Sequence, residues 1–277
     1  MAPHLLTVTK YLFGYDINSE VWQNDLLRKK LRGVRHLTEL AQTDTLITML
    51  PDGQTVSSVC EAVLDAGFSG TIIDMSSSRP RDSLRLADKI TAAGSRFIDA
   101  PVSGGVAKAA KAELIIMAGG KEEDIHRVKP VLTLMGNLHH VGPAGAGHAM
   151  KALNNYVSAA GLLASFQALA TAKAAGISPE NFVDVINKST GRNNTTEAKL
   201  EKFVLNEAFN SGFALQLMAK DVNIALELIE SAGYTTPSTS ALASYLDAAV
   251  SALGQQADHT ALYSYLTDKQ FPQGFKR

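Results

Sequence analysis

Short apolar runs alternate with longer amphipathic stretches over the first half of the chain. Six of these runs have the length and residue types of β-strands, with turn-forming residues on their flanks. They are YLFGYDI, TLITML, GTIIDM, RFIDAPV, ELIIMAG and HHV, all between Tyr11 and about Val141. Strands that alternate with helical segments are typical of a parallel sheet covered by helices. The pattern therefore predicts an α/β N-terminal domain.

After Gly147 the strand patterns stop, and apolar residues recur at helical spacing. The segments MKALNNYVSAAGLLASFQALATAKAAG and LMAKDVNIALELIESAG are the longest examples. Such spacing predicts an all-helical C-terminal domain. Gly142, Pro143, Gly145 and Gly147 mark the expected junction, so we predict domains over residues 1–142 and 143–277, with a helix that begins at the junction linking them.

Composition narrows the classes of partner. The chain has 277 residues, 45% of them hydrophobic, and a formal charge of -1. Lysines and arginines are scattered, which argues against a nucleic-acid partner, and no apolar run approaches the ~20 residues that span a bilayer. The single cysteine, Cys60, excludes an internal disulfide and suits a reducing compartment, so we expect a cytoplasmic location, with the mitochondrion as the alternative. His139 and His140 are adjacent and lack the spacing of metal ligands, so we expect no metal site.

One stretch places a cation and two amides on one side of a helix. In GPAGAGHAMKALNN, Lys151 precedes Asn154 and Asn155 by three and four residues, a spacing that makes them neighbours on a helix. Apolar residues surround them, and this predicts a buried helix with a polar cluster in a cleft; these are Met150, Leu153, Val157, Leu162, Leu163 and Phe166. The alternative is a surface lysine beside two solvated amides. His148 falls near the same face, where we expect a capping or supporting role.

Asp16 ends the first strand candidate. In a Rossmann unit an acid at this position bonds the adenine ribose hydroxyls, which favours NAD. The alternative is an aspartate that caps the helix predicted for NSEVW. The glycine fingerprint G-x-G-x-x-G should lie ~20 residues before the acid, and the sequence contains no such motif. We therefore expect a Rossmann-like domain that is incomplete, with its first strand and glycine loop missing.

Five blocks, in order, resemble the β-hydroxyacid dehydrogenase family, which includes 3-hydroxyisobutyrate dehydrogenase and tartronate semialdehyde reductase. They are TMLPDGQTV (48–56), IIDMSSSRP (72–80), FIDAPVSGG (97–105), GAGHAMKALNN (145–155) and LMAKDVNIAL (217–226). The resemblance implies a C-terminal domain like that of 6-phosphogluconate dehydrogenase. It also implies NAD as the cofactor, with NADP as the alternative, and a small β-hydroxy acid as the substrate.

The resemblance also implies roles for individual residues. Lys151 would be the acid/base, and Asn155 would hold the substrate oxygen. The substrate would be bound by Ser103, Gly104, Gly105, Asn155 and Asp221, and the cofactor by Asp16, Leu50, Pro51, Thr55, Ser77 and Lys220. Two simpler interpretations stay open: the glycine pair as an ordinary turn, and Lys220 with Asp221 as an exposed ion pair.

Departures from the family leave the function open between alternatives. Lys108 and Ala112 stand where many members have glycines, and a lysine there resembles the subgroup that acts on sugar acids such as threonate. The missing glycine loop suggests a non-catalytic member that has lost cofactor binding. Imine reductases share the architecture, but they commonly replace the lysine found here as Lys151. The apolar helical half leads us to expect a homodimer or homotetramer.

Overall fold

The computed structural model of the protein describes residues 1–6, 9, 11–18, 20, 21 and 31–268. The chain forms two compact units, residues 1–151 and 152–277. The division falls within one long helix, a few residues after the glycine-rich junction. The domain limits expected from the sequence, 1–142 and 143–277, stay a prediction.

The described residues of unit 1 form a six-stranded sheet and a two-stranded sheet. The strands are β1 (Phe13–Gly14), β2 (Arg32–Gly33), β3 (Thr45–Thr48), β4 (Thr71–Asp74), β5 (Arg96–Asp99), β6 (Val102–Ser103), β7 (Leu114–Gly119) and β8 (Gly136–Gly142). Each of the six predicted runs contains at least one of them, in whole or in part. All four residues of β4 are buried, as expected for a central strand of a parallel sheet with both faces covered.

The parallel sheet expected from the sequence has antiparallel pairs at β7. β3, β4 and β5 are parallel to one another, and β8 is parallel to β7, but β5 and β6 both pair antiparallel with β7. Only residues 104–113 lie between β6 and β7. A parallel connection takes a dozen or more residues, so this short segment favours reversal of the chain.

β1 and β2 pair parallel with each other. Among the described residues, neither strand is hydrogen-bonded into the six-stranded sheet, in which β3 lies at one edge. A cavity of about 740 Å³ is lined both by residues of β1, such as Phe13, and by residues of β3, such as Ile47. β2 was not predicted, because two residues are too short to give a periodic pattern.

Helices cover the sheet of unit 1. They are α1 (Ala2–Leu5), α2 (Gly53–Asp65), α3 (Pro80–Ala92), α4 (Gly105–Ala110) and α5 (Glu122–Leu132), with a 3-10 helix at Leu37–Gln42. α2 buries Val56, Cys60 and Val63, which are three and four residues apart and so share one face. Burial raises the pKa of the Cys60 thiol to about 12, which keeps it protonated and unreactive at neutral pH.

Unit 2 is helical in its described residues, as predicted, apart from one isolated bridge between Ala214 and Asp258. Its helices are α7 (Pro179–Asn187), α8 (Asn194–Ala198), α9 (Leu215–Ser231), α10 (Pro237–Leu253) and α11 (Leu262–Thr267), with a π-helix at Leu200–Val204 and a 3-10 helix at His259–Ala261. α6 (Ala146–Ala174) begins in unit 1 and continues into unit 2. In the described part of the chain, no helix is long and apolar enough to cross a membrane.

The burial of α6 differs from the prediction. Leu162 and Phe166 are fully buried in the core of unit 2. Met150, Leu153 and Val157 are instead 43%, 38% and 68% exposed. These three residues follow the i, i+3, i+7 spacing of one helix face, so the first turns of α6 carry an exposed apolar stripe that the sequence pattern had assigned to the core.

Candidate functional site

The start of α6 is held by a buried carboxylate at the end of β5. Asp99 accepts the backbone N–H of Gly145 at 2.7 Å and that of His148 at 2.9 Å. It therefore caps two amides that have no partner within the helix. A Cβ on Gly147 would lie 2.8 Å from Asp99 Oδ2 and would overlap the Met117 carbonyl oxygen. Only glycine permits so close an approach of the helix to the sheet.

Asp99 is fully buried. Burial raises the pKa of its carboxyl, although the nearby His148 and the two amide hydrogen bonds act in the opposite direction. Desolvation of a charge is costly, and the hydrogen bonds offset part of that cost. The Asp99 side chain thereby fixes the start of α6 to the end of β5.

The loop after β4 is held by a second buried carboxylate. Asp74 accepts the Thr48 hydroxyl at 2.9 Å and the Ser76 backbone N–H at 3.0 Å, and its other oxygen accepts the Ser78 hydroxyl at 3.3 Å. The Ser76 hydroxyl in turn accepts the N–H of Leu50 at 2.9 Å. The loops after β3 and β4 are therefore fixed to each other at the carboxyl edge of the sheet.

Several predicted cofactor contacts lie in these two loops. Leu50 and Ser77 are half-buried, and Pro51 is exposed. Thr55 lies in the first turn of α2, where its N–H and hydroxyl both bond Asp52 at 2.8 and 2.9 Å. Parallel sheets bind nucleotides outside the carboxyl ends of their strands, so the position of these loops agrees with the predicted use.

Asp16 lies two residues after β1 and is exposed. Its Oδ1 accepts the N–H of Asn18 at 2.8 Å, a local turn typical of aspartate. This bond agrees with the capping alternative. Part of the NSEVW segment lies outside the described residues.

Ser103, Gly104 and Gly105 form the connection from β6 to α4. Ser103 is half-buried, and both glycines are exposed with positive φ angles of 134° and 64°. A Cβ on Gly104 would lie 2.8 Å from the Lys108 side chain. The glycine at 104 is therefore required both by the backbone and by Lys108, which packs over it.

Ala112 adopts a left-handed conformation, with φ of 58°. Many members of the family that the sequence resembles have glycine at this position, and glycine adopts a positive φ angle most easily. Left-handed backbone costs a non-glycine residue roughly 1–2 kcal/mol, which the extra chain entropy of glycine partly offsets. We expect Ala112→Gly to raise the free energy of unfolding by up to about 1 kcal/mol, measured by urea denaturation. Ala107→Gly, in the middle of α4, is the control and should lower it.

In unit 2, the structure joins two of the predicted substrate residues. Asn155 Nδ2 donates to Asp221 Oδ2 at 2.5 Å, and both side chains are buried. Asn154 Nδ2 donates to Asn155 Oδ1 at 3.0 Å. The alternative of two solvated amides is therefore wrong for Asn155, and that of an exposed Lys220–Asp221 pair is wrong for Asp221. Lys220 is half-buried on α9.

Lys151 is half-buried on α6, one turn before Asn155. Residues four apart in a helix project from the same side, so the predicted spacing is realised. In GRNNTTE (191–197), the Asn193 side chain caps α8 by accepting two backbone N–H groups at the start of the helix.

Sequence reasoning missed three residues of unit 1: Asp74, Asp99 and Ser83, whose hydroxyl lies 2.6 Å from the His148 ring nitrogen Nδ1. A signal was present for the aspartates, since each ends an apolar β-strand. A carboxylate in that position lies at the carboxyl edge of the sheet. Ser83 gave no signal, because a serine within a helix has no preferred buried role.

The comparisons agree on one group of proteins. Residues 1–145 match the family described as the NAD binding domain of 6-phosphogluconate dehydrogenase. Residues 145–266 match the family described as NAD-binding of NADP-dependent 3-hydroxyisobutyrate dehydrogenase.

The individual relatives are named as dehydrogenases or reductases. The chain is 37% identical to 2-(hydroxymethyl)glutarate dehydrogenase of Eubacterium barkeri over 204 residues, which are 72% of this chain and 68% of the relative. It is 32% identical to 2-hydroxy-3-oxopropionate reductase of Escherichia coli, over 84% of this chain and 80% of the relative. The solved structure of Mycobacterium tuberculosis 3-hydroxyisobutyrate dehydrogenase with L-serine superimposes with a TM-score of 0.88 at 30% identity, covering 96% of this chain and 94% of that one.

Proposed function

Because the chain belongs to the β-hydroxyacid dehydrogenase family, we propose that it transfers a hydride between NAD(P) and a small β-hydroxy acid or the corresponding semialdehyde. The observation that carries the proposal is the double role of Asp99. It ends the strand that leads to Ser103 within four residues, and it caps the helix that carries Lys151. Its carboxylate thus ties the helix to which the resemblance assigns the proton transfer to the strand end that leads into the segment assigned to the substrate carboxylate.

Oxidation of the alcohol requires a group that takes the hydroxyl proton and groups that hold the carboxylate. In our proposal the Lys151 amine takes the proton, and in the reverse direction its ammonium donates one to the carbonyl oxygen. Asn155 orients the substrate oxygen without adding charge. The Ser103 hydroxyl and the backbone N–H groups of Gly104 and Gly105 bind the carboxylate, which glycine allows to approach closely.

The residues at the strand ends suit a dinucleotide, which supplies the hydride acceptor when bound. Leu50, Pro51, Thr55 and Ser77 would border it in unit 1, Asp16 would bond a ribose hydroxyl, and Lys220 would supply a positive charge. The rigid hydrogen bonding of the loops after β3 and β4 supports this assignment, since a preformed site costs less ordering on binding. The acid at position 16 favours NAD over NADP.

The substrate class follows from what the relatives' names have in common. 3-Hydroxyisobutyrate, 2-(hydroxymethyl)glutarate and L-serine, the last from the NAD-dependent L-serine dehydrogenase of Pseudomonas aeruginosa, all contain a hydroxymethyl group on the carbon next to a carboxylate. We propose that this unit is recognised here. Threonate, which carries its β-hydroxyl on a secondary carbon, is the alternative that Lys108 favours.

A second candidate function is a non-catalytic family member that does not bind the cofactor. The 277 residues contain no G-x-G-x-x-G, the loop that holds the pyrophosphate in Rossmann domains, so dinucleotide binding by this chain is the property that separates the two candidates. Against the non-catalytic candidate stands the retention of Lys151 and Asn155, for which a scaffold has no use.

Titration calorimetry separates the two candidates. We expect NAD⁺ to bind the 277-residue chain with a dissociation constant in the micromolar range, more tightly than NADP⁺. We also expect turnover of at least one of 3-hydroxyisobutyrate, 2-(hydroxymethyl)glutarate and L-serine, followed by the absorbance of the reduced cofactor. Absence of both dinucleotide binding and turnover would favour the scaffold, and turnover of threonate alone would select the sugar-acid alternative.

We also propose a homodimer or homotetramer, in a cytoplasmic location. The exposed stripe of Met150, Leu153 and Val157 supports self-association, since exposed apolar patches commonly mark interaction surfaces. Light scattering of the purified chain measures the assembly.

A further inference from the structure

His148 joins three segments of unit 1 through one buried imidazole and its backbone. Its ring Nδ1 lies 2.6 Å from the Ser83 hydroxyl on α3. Its Nε2 lies 3.2 Å from the Ser76 carbonyl oxygen in the loop after β4. Its backbone N–H donates to Asp99 at the end of β5. The side chain has no exposed surface.

The hydrogen-bond partners define the arrangement of protons. A carbonyl oxygen only accepts, so Nε2 carries a proton and donates it to Ser76. Nδ1 pairs with the Ser83 hydroxyl, which also lies 3.2 Å from the Arg79 carbonyl oxygen. Two carboxylates flank the ring, with Asp74 Oδ2 3.6 Å from Nε2 and Asp99 Oδ2 3.8 Å from Nδ1. These partners hold the imidazole from both sides and fix its orientation.

The proposed function gives the connected segments two different tasks, cofactor binding and proton transfer. The Ser76 loop leads into Ser77, a proposed cofactor contact, and the Ser76 hydroxyl holds the Leu50 N–H. The helix start that carries His148 reaches Lys151 three residues later. Complete burial of the ring excludes contact with a substrate, so the imidazole acts only through the segments it joins.

We propose that His148 is a positioning residue that fixes the Lys151 helix in register with the Ser76 loop, and thereby aligns proton transfer with hydride transfer. The inference rests on the proposed function. Misplacement of a reacting group by about 1 Å can cost ~100-fold in rate. The first turn of α6 is held at the sheet by Asp99 and Gly147, and the His148 ring adds hydrogen bonds to the loop after β4 and to α3.

Three substitutions test this role. Ser83→Ala removes the Nδ1 partner and leaves the imidazole in place. His148→Ala removes the ring, and His148→Gln restores a donor that can reach the Ser76 carbonyl. Ser95→Ala is the matched control, because Ser95 is also a buried serine in unit 1, bonded to the Phe68 carbonyl and the Gly70 N–H at the opposite end of β5.

We expect Ser83→Ala to lower kcat about 10-fold and His148→Ala to lower it about 100-fold, with the KM for the hydroxy acid changed less than about threefold. Calorimetry should record weaker NAD⁺ binding in both, by a factor of about two to five, and His148→Gln should recover most of the loss caused by His148→Ala. Ser95→Ala should lower the melting temperature about as much as Ser83→Ala does. Its kcat and its affinity for NAD⁺ should equal those of the parent.

Two other outcomes would contradict the proposals, and they can be told apart. A parent chain that neither binds NAD⁺ nor turns over a hydroxy acid overturns the proposed function, and this inference with it. An active parent whose Ser83→Ala and His148→Ala variants match Ser95→Ala in kcat and in NAD⁺ affinity overturns the positioning role alone.

Discussion

Lys151→Met is expected to lower kcat for hydroxy acid oxidation by about 10²–10⁴-fold. General acid/base groups contribute this much when they are positioned at the reacting atom. Methionine keeps much of the length and flexibility of the side chain and removes its basic group, so α6 should retain its stability. Steady-state kinetics with 3-hydroxyisobutyrate, together with calorimetric NAD⁺ binding, make the measurement: binding should persist while turnover is lost.

Lys173→Met is the control for this variant. Lys173 lies near the end of the same helix, is exposed, and has its ammonium 5.9 Å from the centre of the Tyr263 ring. Its removal should leave kcat within about twofold of the parent. Equal kcat values for the Lys151 variant and the parent would exclude Lys151 as the proton-transfer group.

Asn155→Asp is expected to destabilise the protein by about 3 kcal/mol at pH 7 and to abolish most activity. The parent amide donates to Asp221 at 2.5 Å inside the protein, and the substitution replaces that donor with a second carboxylate. Burial and the neighbouring negative charge raise the pKa of the introduced carboxyl. A tenfold change in its acid dissociation constant corresponds to about 1.4 kcal/mol, so a roughly hundredfold weaker acid in the folded state gives the stated loss.

The pH dependence has a defined sign. A carboxyl whose folded-state pKa is raised costs stability when it is ionised, and the cost disappears as the pH falls through that raised pKa and then through the pKa of the unfolded chain. The stability difference between Asn155→Asp and the parent should therefore be largest at neutral pH and shrink toward about pH 4. Urea denaturation at about pH 4.5 and pH 7 measures it.

Asn223→Asp is the matched control, because Asn223 makes the same amide-to-carboxylate bond to Asp247 at 3.0 Å in an exposed position. Water screens exposed charges, so this variant should lose less than about 1 kcal/mol. If the two variants lose the same free energy of unfolding, burial of the Asn155–Asp221 pair does not account for the loss in Asn155→Asp.

Periodicity predicted the fold where segments are long. The spacing of apolar residues in α6 and α9 gave both helices, and the runs in β4 and β7 gave central strands. It failed for the direction of β7 against β5 and β6, because pairing depends on the path of the chain through the short α4 segment. It also failed for Met150, Leu153 and Val157, since apolar character alone does not distinguish a core face from an exposed stripe.

The candidate site was predicted in part. The spacing of Lys151 and Asn155 follows from helix geometry, but the bond from Asn155 to Asp221 joins positions 66 residues apart. Only the tertiary packing of unit 2 brings them together. The Asp74, Asp99 and His148 framework is similarly non-local, because its hydrogen bonds connect different strands, loops and helices of unit 1.

Transfer of deuterium tests the central claim most directly. The purified chain would be incubated with NAD⁺ and 3-hydroxyisobutyrate carrying two deuterium atoms on its hydroxymethyl carbon. We predict that the reduced cofactor gains one mass unit over that formed from the unlabelled substrate, and that one deuterium stays in the semialdehyde. Reduced cofactor without the label, or none formed with any of the three hydroxymethyl acids, would contradict the account.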